Sequence, residues 1–162
     1  MYLGRVAIEK NIEAFLKLEL PGSMYVVGDG PDLEKLKKEY PKVTFTGFRR
    51  GEELAKTLAA ADVFVFPSRT DTFGLVLLEA MASGVPVAAY PVTGPKDVVT
   101  QGVTGFCDED LGSAAIACLK LDGKDCRAYA EKFSWKAAAE EFLRNMVPAR
   151  EASEPQGERA AA

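Results

Sequence analysis

The chain has 162 residues, 48% apolar and 27% charged, with a net charge of −4; these are ordinary values for one domain with a sizeable core, and the acidic balance argues against broad nucleic-acid binding. It contains no histidine and only three cysteines (Cys107, Cys118, Cys126), which excludes Ser-His-Asp and Cys-His catalysis, His-ligated metals and a disulfide scaffold. No apolar run approaches the roughly 20 residues of a membrane span, and the opening MYLGRVAIEKN lacks the apolar core of a signal peptide, so a reducing, cytoplasmic setting is expected.

In chain order, Tyr2–Val6 reads as a short strand. Glu9–Leu20 reads as a helix with Ile12, Phe15, Leu16 and Leu20 on one face, closed by Pro21-Gly22. Ser23–Val27 is a strand leading into the turn Gly28-Asp29-Gly30-Pro31, and Asp32–Tyr40 is a helix. Val43–Phe45 is a strand, Gly47–Gly51 a loop and Glu52–Ala60 a helix. Asp62–Phe66 and Val85–Tyr90 lack polar alternation and read as strands covered on both faces. Between them lies a helix over Phe73–Ser83. Pro95–Thr100 is a short helix and Thr104–Cys107 a short strand, and three helices follow at Leu111–Leu119, Lys124–Lys132 and Trp135–Met146. Phe133 and Trp135 read as core anchors of the last helix.

Strands alternating with helices of about ten residues predict βαβ units and a parallel sheet. The expected fold class is α/β, with a Rossmann-like doubly wound sheet in a single domain over residues 1–147. The polar, Ala-rich tail, 148–162, is expected to be disordered.

In such sheets, ligands bind at the carboxyl ends of the strands. There the chain places Gly4, Arg5 and Lys10, then Gly28-Asp29-Gly30-Pro31, then Gly47-Phe48-Arg49, then Ser68–Gly74, then Thr93-Gly94-Pro95. A helix opening at Phe73-Gly74-Leu75 offers free backbone N–H groups and a positive dipole end. Arg5 and Lys10 add two cations suited to a diphosphate. Glu79 stands in the apolar run Leu75–Ala82, which predicts a buried helix and a carboxylate that needs a partner. A ribose diol is one such partner. Plainer readings stand beside these: Arg5, Lys10 and Arg49 as surface cations, Gly28–Pro31 as a strand-to-helix turn, Asp71 as a helix cap.

With these residues in hand, the chain resembles the C-terminal, donor-binding domain of retaining GT-B glycosyltransferases (family 4, glycosyl transferases group 1). The family pattern P-S-x-x-E-x-F-G-x-x-x-x-E-A-x-A-x-G-x-P-V reads here from Pro67 to Val87. G-R-x-x-x-E-K-(G/N) reads from Gly4 to Asn11, G-x-G-P from Gly28 to Pro31, and V-x-F-x-G from Val43 to Gly47. Four motifs in order make the likeness specific.

The resemblance implies roles residue by residue. Arg5 and Lys10 would bind the donor diphosphate and stabilise charge on the leaving nucleotide. Backbone amides at Phe73, Gly74 and Leu75 would hold the distal phosphate and the sugar, and Glu79 the ribose. Phe48 and Arg49 would contact the base; Gly4, Gly28, Gly30 and Thr72 complete the donor-binding set. Asp71 stands where the family carries Glu in contact with the donor sugar, and is one methylene shorter. The implied donor is a nucleoside-diphosphate sugar. No metal is expected, because the site has no Asp-x-Asp pair, and no other cofactor is expected.

The resemblance also implies a partner, the N-terminal acceptor domain of a GT-B enzyme, without which transfer is not expected. Membrane contact would belong to the full enzyme, at the inner face. Two alternatives remain open: a non-catalytic nucleotide- or nucleotide-sugar-binding module, and an NAD-binding Rossmann domain. Against the latter, no G-x-G-x-x-G follows the first strand.

Overall fold

A computed structural model describes residues 1–147; the tail expected to be disordered lies outside the described residues. The strands are β1 (Tyr2–Leu3), β2 (Tyr25–Val27), β3 (Thr44–Gly47), β4 (Phe64–Phe66), β5 (Val87–Ala89) and β6 (Gly105–Cys107). The helices are α1 (Ile12–Leu16), α2 (Leu33–Glu39), α3 (Gly51–Ala59), α4 (Leu75–Ala82), α5 (Pro95–Val98), α6 (Leu111–Cys118), α7 (Gly123–Ala130) and α8 (Trp135–Arg144).

The strands form two parallel three-stranded ladders, β1-β2-β3 and β4-β5-β6. Met1 joins them: its amino group donates to Val63 O (2.7 Å) and its carbonyl accepts from Val65 N–H (2.8 Å). That lays β1 beside β4 and gives the order 3-2-1-4-5-6, the doubly wound arrangement with its switch point between β1 and β4.

Alternation along the strands splits the core into two layers. Tyr2, Val26, Val65 and Ala88 face one side, with Ile12, Phe15, Leu36, Leu111 and Ala115 from α1, α2 and α6. Leu3, Val27, Phe64, Phe66, Val87 and Ala89 face the other, with Leu58, Leu77, Met81 and Cys126 from α3, α4 and α7. Period-two side-chain direction turns each apolar strand into a contributor to both layers.

Three expectations are corrected. The helix expected over Glu9–Leu20 is a 3₁₀ turn at Ile8–Lys10, a joint at Asn11 (φ 52°) and the short α1. Asn tolerates the left-handed conformation that breaks the run, and Pro21 disfavours helix at Leu20. Glu79 is exposed rather than buried. The sheet and α7 cover only the face of α4 that carries Leu77, Ala80 and Met81, while Leu75 (69% exposed) and Glu79, four apart, share the open face. Trp135 (93% exposed) and Phe133 are not core anchors. No residue of α8 is buried, and Phe133 is exposed, its ring tilted against Tyr129 with centroids 5.3 Å apart. Among the described residues, no helix is long and apolar enough to cross a membrane.

Candidate functional site

A cleft of about 450 Å³ opens where β1 and β4 end, at the switch point of the sheet. One wall is Gly4, Arg5 and Lys10; the other runs from Asp71 through Thr72, Phe73 and Gly74 to Leu75 and Val76, with Tyr2 and Phe66 at the floor. Gly74 takes φ 75° just before α4, a conformation that glycine adopts without steric cost. Leu75 and Val76, the first residues of α4, line the cleft, and Leu77 N–H already bonds Gly74 O (2.9 Å), which leaves the first two amides of the helix as free donors.

Lys10 and Asp71 face each other across the cleft, Nζ to Oδ1 2.6 Å, both largely covered (side chains 29% and 23% exposed). Burial pushes the Asp71 carboxyl up, but the hydrogen bond and charge of the Lys10 ammonium, with the Ser68 hydroxyl nearby, outweigh it and hold the group below the usual range. Its second oxygen, Oδ2, is buried without a hydrogen-bond partner among the described residues. The stability this carboxylate confers is therefore present above the ordinary carboxyl value of about 4 and lost as pH falls through its lower folded value. Stability curves of wild type and Asp71→Asn should converge below about pH 4 and stay parallel above it; curves parallel throughout would remove the shift.

The cleft is laced by local bonds. Tyr2 Oη donates to Arg5 O (2.7 Å), and burial, with the carboxylates of Asp71 and Glu9 near, pushes the phenol up, so it stays a donor. Asn11 Nδ2 donates to Pro67 O (3.0 Å), and Thr70 Oγ1 to Glu9 O (3.4 Å). The Arg5 side chain is 63% exposed and pairs with Glu9 at 3.3 Å. Gly94, before α5, approaches the far wall so closely that a Cβ would stand 2.9 Å from Asp71 O.

Other sequence-predicted residues lie outside the cleft. Gly28 and Gly30 are packed against the loop that carries Arg5: a Cβ at Gly28 would meet Gly4 O at 1.9 Å, and one at Gly30 would meet Val6 O at 2.2 Å. Those glycines hold the loop in place through backbone approach. Glu79 sits one turn along the open face of α4 from Leu75, which lines the cleft. Phe48 is exposed, with the Arg50 guanidinium 4.8 Å above its ring.

Arg49 turns elsewhere. It pairs with Glu53 and lines a larger cavity, about 640 Å³, with Met24 and Asp62, near the amino ends of β2 and β4. Volume favours that cavity and chemistry favours the smaller cleft, which holds the motif residues at the edge where doubly wound sheets bind ligands. Among the described residues, no three His, Cys, Asp or Glu side chains gather as a metal site. Sequence reasoning passed over Tyr2, Asn11 and Ser68. For Asn11 the signal was available, because the family motif carries Gly or Asn there, the two residues that take positive φ most readily.

Comparison with known proteins identifies the family and the fold. The family model for glycosyl transferases group 1 matches residues 1–122. Sulfoquinovosyl transferase of Arabidopsis thaliana is 39% identical over 158 residues, covering 85% of this chain and 31% of that protein. A GDP-mannose-dependent alpha-mannosyltransferase of Mycobacterium tuberculosis is 42% identical over 107 residues, covering 65% and 28%. Among solved structures, a lipopolysaccharide outer core galactosyltransferase superposes with a TM-score of 0.73 at 20% identity, covering 88% of this chain and 47% of that one. The pneumococcal O-GlcNAc transferase in complex with UDP and GlcNAc does so with a TM-score of 0.71 at 21% identity, covering 88% and 34%. The chain thus spans about a third of these curated relatives and between a third and a half of these structures.

Proposed function

Since this chain belongs to the glycosyl transferases group 1 family, we propose that it forms the donor-binding half of a retaining glycosyltransferase, holding a nucleoside-diphosphate sugar in the cleft between β1 and β4. One observation carries the reading: Arg5 and Lys10 line the same cleft as the opening of α4 at Gly74-Leu75. Two cations and the first two amides of a helix beside one space suit a diphosphate. In transfer, the bond from the sugar to the diphosphate breaks and negative charge grows on the departing nucleotide. Preorganised donors aimed at that charge lower the barrier.

Lys10 is paired with Asp71. On this reading the diphosphate takes over part of that ammonium, and Asp71 is left to accept from the donor sugar through Oδ2. Glu79, one turn along α4 from Leu75, accepts from the ribose. The acceptor and the closed cleft that transfer requires come from a second domain, for which the greater length of the relatives leaves room. The half alone binds and does not turn over.

Calorimetric titration with UDP, GDP, ADP and NAD tests the proposal. UDP or GDP should bind in the micromolar range and NAD more weakly. NAD binding tighter than every nucleoside diphosphate would replace the reading with a dinucleotide fold of an oxidoreductase.

A further inference from the structure

Among the described residues Asn11 alone, apart from glycines, has positive φ, and it does three things at one point. Its backbone N–H closes the 3₁₀ turn on Ile8 O (3.0 Å), its carbonyl accepts from Ala14 N–H at the start of α1 (3.0 Å), and its side-chain amide crosses to Pro67 O (3.0 Å). Pro67 directly follows β4 and opens the loop that carries Asp71; Asn11 directly follows Lys10. We propose that Asn11 is a positioning residue: its amide clamps the β1 loop to the β4 loop and so sets the reach of Lys10 across the cleft.

The two loops belong to different halves of the sheet, which meet through the hydrogen bonds of Met1. Apart from the Lys10–Asp71 pair itself (2.6 Å), the other bond between these loops among the described residues, Thr70 Oγ1 to Glu9 O, is long at 3.4 Å. The Pro67 carbonyl, leaving the strand, needs a donor, and the amide supplies it from a residue whose left-handed backbone is what turns the side chain back toward β4. A glycine there would keep the turn and lose the clamp. For the diphosphate step the inference rests on the donor-site reading above; for the Lys10–Asp71 pair it does not.

Two variants separate the parts. Asn11→Gly keeps positive φ at no steric cost and deletes the amide; Asn11→Asp keeps the shape and cannot donate. Both should lower affinity for UDP and GDP roughly three- to tenfold, the worth of one hydrogen bond, with uridine and guanosine affinity unchanged. Asp71, followed by carboxyl NMR titration, should move toward the ordinary aspartate value in both. A drop in melting temperature without movement of the Asp71 titration would mean a merely structural role and overturn the proposal. Movement of Asp71 in a protein whose wild type binds neither UDP nor GDP would sustain the clamp and sink the donor-site reading.

Discussion

Replacing Arg5 and Lys10 together with alanine should weaken binding of UDP or GDP by at least ~100-fold and leave binding of the nucleosides nearly unchanged. Hydrogen bonds to charged groups contribute about 1.5–3 kcal/mol each, so each cation carries about 10- to 100-fold. The two residues differ in what else they support. The Arg5–Glu9 pair is exposed, and such pairs contribute at most about 1 kcal/mol, so Arg5→Ala should not alter stability measurably. Lys10 is the counter-charge of a covered carboxylate whose other oxygen is already without a partner. Lys10→Ala should therefore cost about 1–3 kcal/mol of folding stability and raise the Asp71 titration. Adding Asp71→Asn should restore much of the stability but none of the diphosphate affinity. Thermal melts beside titrations with UDP and uridine distinguish the effects; a diphosphate preference that survives both alanines removes the phosphate role.

The contrast between Lys10 and Arg5 marks the limit of what the sequence discloses. The order of strands and helices was legible because apolar runs without polar alternation, such as Phe64–Phe66 and Val87–Ala89, have only one comfortable place, the middle of a covered sheet. The ligand edge followed from that order. Depth was not legible. The run around Glu79 is apolar on every side, yet only Leu77, Ala80 and Met81 are buried against the sheet and its neighbours, with Val76 and Leu78 half-covered at the edges. Composition cannot separate a helix packed on all faces from one packed on a single face and open to a ligand or a second domain. The same ambiguity misplaced Trp135, whose apolar surface faces outward on a helix with no buried residue. Side-chain direction was also hidden: Arg49 and Phe48 are adjacent in sequence, but Glu53 draws Arg49 into the other cavity. Gly28 and Gly30 look like ligand-facing glycines and are instead spacers against the Gly4–Val6 backbone.

The exposure of Glu79 sharpens its test. Its carboxylate has no ion-pair partner within 4 Å among the described residues, and its backbone carbonyl accepts from Ser83 Oγ (2.9 Å) independently of the side chain. Glu79→Gln and Glu79→Ala should therefore leave the melting temperature within the scatter of ordinary surface substitutions, about 0.5 kcal/mol. Binding should nevertheless fall about 10- to 100-fold, the worth of a charge-assisted pair of ribose hydrogen bonds. Because the ribose is common to both ligands, the loss should be equal for UDP and uridine, or for GDP and guanosine. The Arg5 and Lys10 variants should separate those ligands; the Glu79 variants should not. A 2′-deoxynucleoside diphosphate should bind wild type more weakly than its ribose counterpart and bind Glu79→Ala equally well. If the deoxy penalty persists in Glu79→Ala, another group holds the ribose, and the acid on the open face of α4 belongs to whatever covers that face.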